Sequence, residues 1–77
     1  MPRARRIFLE AFVQARGRRD GDGAARAGEA FASLGDREIA DRAFDAALTL
    51  ASQSRDAAAR DRIAALRARS DYATRTP

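Results

Sequence analysis

Cysteine, histidine, lysine, asparagine and tryptophan are all absent from this 77-residue chain. Without cysteine there is neither a disulfide framework nor a thiolate nucleophile, so a reducing cytoplasm is the expected setting. Without histidine or lysine a hydrolytic triad has no base, and a metal would find only weak oxygen ligands. β-branched residues are few, and no run of them alternates as a strand would. No segment approaches the roughly 18 apolar residues needed to cross a bilayer. These absences point to an all-α chain that is not an enzyme, carries no cofactor or metal, and has no transmembrane segment.

Alanine and arginine dominate instead, and both favour helix. All fifteen basic residues are arginine, against eleven acids, for a net charge of +4. The charge is unevenly placed. Residues 1–20 hold six arginines and two acids, residues 21–50 three arginines and six acids, and residues 51–77 six arginines and three acids. Two basic ends flank an acidic middle. Large apolar residues are sparse, so one domain over residues 1–77 buries a thin core, and help from a partner or a second copy is expected.

Apolar spacing predicts four helices. The first covers residues 4–16, with Phe8, Phe12 and Ala15 on one face, Ile7 and Ala11 beside them, and an Arg6–Glu10 pair elsewhere. A Gly-rich connection follows, with Asp20 and Asp22 as candidate N-caps. The second helix spans 23–34 and stops at Gly35, a left-handed C-terminal residue. Asp36 caps a third helix over 37–51, stitched outside by Arg37–Asp41 and Glu38–Arg42. Ser54 is the expected cap of a fourth, over 54–69, with Asp56–Arg60 paired on its surface. Residues 70–77 form an expected polar tail.

Gly28, Phe31, Gly35, Ala40, Phe44 and Ala47 define a helical hairpin. Gly28 and Ala40 permit close backbone approach, while Phe31 and Phe44 fill the seam from opposite helices. On these residues, with Ala24, Ala27, Asp36, Leu48 and Leu50, the stretch 21–54 resembles one tetratricopeptide repeat. Ala24 stands where the family has an aromatic, and Ser52 where it usually has proline. Ala4, Phe8 and Ala11 match the spacing of Ala40, Phe44 and Ala47 and suggest a degenerate half-repeat before it. The resemblance implies a short α-solenoid whose second helix lines a concave surface. A plain helical bundle with the same small–aromatic spacing is the alternative.

That resemblance implies partner-facing positions at Asp22, Ala25, Arg26, Glu29, Ala32 and Ser33, in a mildly acidic groove suited to a basic or apolar segment. The Lys/Asn set with which some family members clamp a carboxylate is missing. The functional expectation is a protein–protein adaptor or scaffold that binds a peptide or helix of another protein, or a second copy of itself; exposed Leu9 and Val13 motivate the latter. The alternative is a small nucleic-acid-associated protein using Arg3, Arg5, Arg6, Arg16, Arg18 and Arg19, with Arg60, Arg62, Arg67 and Arg69 on the last helix. Interspersed acids and the lack of stacking aromatics beyond Tyr72 argue against it. The Arg-rich, apolar N-terminus also resembles a membrane-surface or targeting helix, but Glu10 interrupts it and serine is missing, so packing against the second helix is the preferred reading. Asp41 and Asp45, flanked by Arg37 and Arg42, suggest a neutralised surface cluster. The Gly17, Gly21 and Gly23 stretch follows a helix and lacks a Lys-Ser/Thr ending, so it is a linker and not a phosphate loop.

Overall fold

A computed structural model describes the backbone of residues 2–75 and the side chains of that span except residues 2, 4 and 72–75. Four helices account for it: α1 (Pro2–Gly17), α2 (Gly21–Ser33), α3 (Arg37–Gln53) and α4 (Ala57–Arg75). No strand occurs among the described residues. The helices pack as hairpins with α2 at the centre, touching each of the other three. Among the described residues, helix α1 barely meets α3 and does not meet α4.

Tight corners of one design join the helices. In each, an amide reaches back five residues to a buried helix-end carbonyl: Asp20 to Ala15 (2.8 Å), Asp36 to Phe31 (3.0 Å) and Asp56 to Ala51 (3.0 Å). The residue before each aspartate has positive φ: Arg19 at 57°, Gly35 at 81° and Arg55 at 54°. Its amide bonds three residues back, completing the paired closure that ends helices in a left-handed residue. The aspartate then caps the next helix, accepting from the amides of Gly23 (2.9 Å), Ile39 (3.3 Å) and Ala59 (2.9 Å).

Asp56, not Ser54, therefore caps α4. Ser54 sits at the end of α3, where its hydroxyl donates to the Leu50 carbonyl (2.7 Å). Helix α2 begins two residues before the expected start because Asp20, rather than Asp22, is its cap. The expected tail from Ser70 is helical as far as Arg75. Ser70 is small enough to be buried, and Asp71 ion-pairs with Arg37 at the start of α3, so α4 gains support beyond residue 69. Met1, Thr76 and Pro77 lie outside the described residues, as do the side chains of Ala4 and Tyr72.

The core is mostly alanine, and its large fully buried side chains are Phe31, Phe44 and Ile63. Phe44 shares one cluster with Ala24, Ala47, Ala51 and Ile63. Phe31 belongs to another, with Ala32, Ala40, Phe8 and Ile39. The two rings do not fill one common seam as their spacing suggested. Phe31 takes the Phe8 ring edge-on at 6.1 Å, whereas Phe44 covers Gly28. Ile7 (55%), Leu9 (45%) and Val13 (59%) of α1 are exposed. Arg6 and Glu10 make no ion pair, while Arg37–Asp41 (3.8 Å) and Arg42–Glu38 (3.0 Å) do.

Candidate interaction groove

Small residues on facing helices leave a furrow between α2 and α4 of about 590 Å³, lined by Asp22, Ala25, Arg26, Arg62, Ile63, Ala65, Leu66 and Arg69. Buried Ala25 and Ile63 form its floor, with half-buried Leu66 beside them. At one end Asp22 accepts from Arg62 at 2.9 Å. That hydrogen bond raises the Arg62 guanidinium above its ordinary pKa, and the carboxylate's charge adds in the same direction. Arg26 and Arg69 are exposed and have no carboxylate partner among the described residues.

Of the residues expected to face a partner, Asp22, Ala25 and Arg26 come together in this furrow. Glu29 and Ser33 are exposed further along α2 and do not line it, and the Ser33 hydroxyl donates to the Glu29 carbonyl (3.1 Å). Ala32 is buried and faces the core. The expected acidic character is reversed: Arg26, Arg62 and Arg69 surround one aspartate. Arg62 stands 40 residues on from Asp22, with Arg69 further along the same helix, and no local pattern tells which way α4 turns them. Arg26 also borders a second furrow of about 360 Å³ between α1 and α2, with Phe8, Gln14 and Arg18.

The N-terminal arginines do not form one patch. Arg5 is tied to Asp36 at 2.8 Å, and Arg16 stands over the Phe12 ring at 5.7 Å. Arg3, Arg6, Arg18 and Arg19 are exposed along α1 and its corner. On the last helix Arg60 makes no ion pair with Asp56, whose carboxylate instead receives the Ala59 amide.

Asp41 and Asp45 are neutralised, but chiefly by Arg67 of α4, at 3.5 and 2.7 Å, and not by Arg42. The hydrogen bond to Asp45 raises the Arg67 pKa, opposed by burial. Its guanidinium also stands 5.8 Å from the Phe44 ring centroid. The i,i+4 acid spacing was a visible signal of this cluster; its cation was not. Among the described residues, no group of His, Cys, Asp or Glu is suited to hold a metal, and no helix is long and apolar enough to cross a membrane.

No family model, curated protein or solved structure matches this chain.

Proposed function

We propose that this protein is a non-enzymatic protein–protein interaction module whose α2–α4 furrow receives an acidic, partly apolar segment of a partner. One observation carries the reading: Arg26 and Arg69, free of carboxylate partners, flank an open floor that includes half-buried Leu66. Such a site offers charge-assisted hydrogen bonds to side-chain carboxylates and a place for one aliphatic group between them. The likeness to a tetratricopeptide repeat supports the same face, since the family's equivalent helix lines its binding surface. The chain's lack of histidine, lysine and cysteine is in keeping with a binding role and not a catalytic one.

Fluorescence anisotropy with a labelled peptide alternating glutamate and leucine tests this, beside glutamine and arginine versions of the same peptide. The glutamate peptide should bind best, and Arg26→Glu or Arg69→Glu should weaken it about tenfold or more. Equal binding of the glutamine peptide would remove the charge argument. A duplex oligonucleotide that binds more tightly than the peptide, with affinity falling steeply in salt, would move the function to the basic nucleic-acid reading.

A further inference from the structure

Two helix faces carry exposed side chains suited to a second copy of the chain. On α1, exposed Leu9 and Val13 lie one turn apart, and exposed Arg6 and Arg16 flank them at helical spacing with no carboxylate partner. On α4, exposed Ala57, Asp61, Ala64 and Ala68 recur at intervals of four, three and four and so share one side, on which Asp61 has no cation partner.

Pairing α1 with α1 across a two-fold axis would bring Arg6 and Arg16 of both copies together, which like-charge repulsion opposes. Pairing α1 with the outer side of α4 sets large apolar residues onto alanines and brings Asp61 to a face carrying Arg6 and Arg16, two arginines without a carboxylate partner among the described residues. Among the described residues, helices α1 and α4 do not touch within one chain, so these two faces do not meet in a single copy. We infer that the Arg6–Leu9–Val13–Arg16 face of one copy docks on the Ala57–Asp61–Ala64–Ala68 face of a second. The contact is heterologous and leaves both faces available at the ends, so assembly proceeds head to tail. It extends the interaction-module reading but does not depend on the furrow, because Arg26 and Arg69 take no part in it.

Sedimentation velocity over a concentration series tests the inference. The wild-type average mass should rise with concentration past that of a dimer. The pair Leu9→Asp with Val13→Asp, and separately the pair Asp61→Arg with Ala64→Arg, should each reduce the protein to monomer while circular dichroism retains the helix content and melting temperature. Mixed together, the two variants still have one intact face each and should form a one-to-one heterodimer that grows no further. A wild-type chain that stays monomeric into the millimolar range overturns the inference, and pelleting of that monomer with phosphatidylserine vesicles would assign the α1 face to a lipid surface instead. A wild-type mass that plateaus at a dimer, or blocked variants that fail to pair with each other, overturns the head-to-tail geometry. Peptide anisotropy repeated on either monomeric variant keeps failure of the furrow distinguishable from failure of assembly.

Discussion

A Cβ placed on Gly28 would lie 3.1 Å from the Phe44 ring. Helices α2 and α3 are therefore as close as they are because one carries no side chain where the other carries a benzyl group. Phe44 is 1% exposed and shares its cluster with Ala25 and Ile63 of the furrow floor.

Gly28→Ala sets two effects against each other. The helix gains about 1 kcal/mol of propensity, and the ring must give by a few tenths of an ångström, so chemical denaturation should find stability within about 1 kcal/mol of wild type. Gly28→Leu cannot be absorbed and should cost about 1–3 kcal/mol or more. Phe44→Ala should cost about 3–5 kcal/mol. An unchanged melting temperature for Phe44→Ala would mean that the ring is not core.

The helix corners differ in the residue that takes the left-handed conformation. Arg19 and Arg55 hold positive φ with a Cβ in place, and Gly35 holds it without one. That conformation costs an L-residue about 1–2 kcal/mol, partly offset by the greater unfolded-state entropy of glycine, about 0.4–1 kcal/mol. Arg19→Gly and Arg55→Gly should each stabilise by about 0.5–1 kcal/mol. Gly35→Ala should destabilise by about 1 kcal/mol for backbone reasons alone, since nothing lies within 4 Å of its would-be Cβ. Urea midpoints with unchanged slopes would register all three.

Arg67 and Arg42 both make ion pairs, but in different settings. The Arg67 side chain is 27% exposed and joins two aspartates and an aromatic face. The Arg42–Glu38 pair is 74% and 76% exposed. Arg67→Ala should cost about 1–2 kcal/mol and Arg42→Ala under about 0.5 kcal/mol. Equal losses in urea titrations would contradict the difference in setting.

The pH dependence follows from the signs. Arg62 and Arg67 have raised pKa values because the folded state favours their cations. Their contribution is fully present below the ordinary guanidinium pKa and lost only as the pH rises through the still higher folded value. No histidine or cysteine side chain is available to titrate in between. The melting temperature should thus be flat from about pH 6 to about pH 9, and a transition inside that window would mean that a group other than these arginines changes its protonation on folding.

Local chemistry was legible before any coordinates. Gly35 and Asp36 announce a helix end followed by a helix start, and Asp20 was visible among the candidate caps. The Arg-filled corners were less so, because an arginine in a left-handed turn has no compositional signature. That is also why Ser54, a good N-cap residue type, displaced Asp56 in the sequence reading.

Helix content and the position of the Gly35 corner were determined by the sequence alone, because each depends on neighbours within about one turn. Only the tertiary structure decided that Phe31 meets Phe8 and not Phe44, that Arg67 serves the Asp41–Asp45 pair, and that α4 turns Arg62 and Arg69 into the furrow. Those outcomes depend on how each helix is rotated about its own axis. In a core made largely of alanine many rotations bury a similar amount of apolar surface, so the few large side chains and long-range ion pairs select among them.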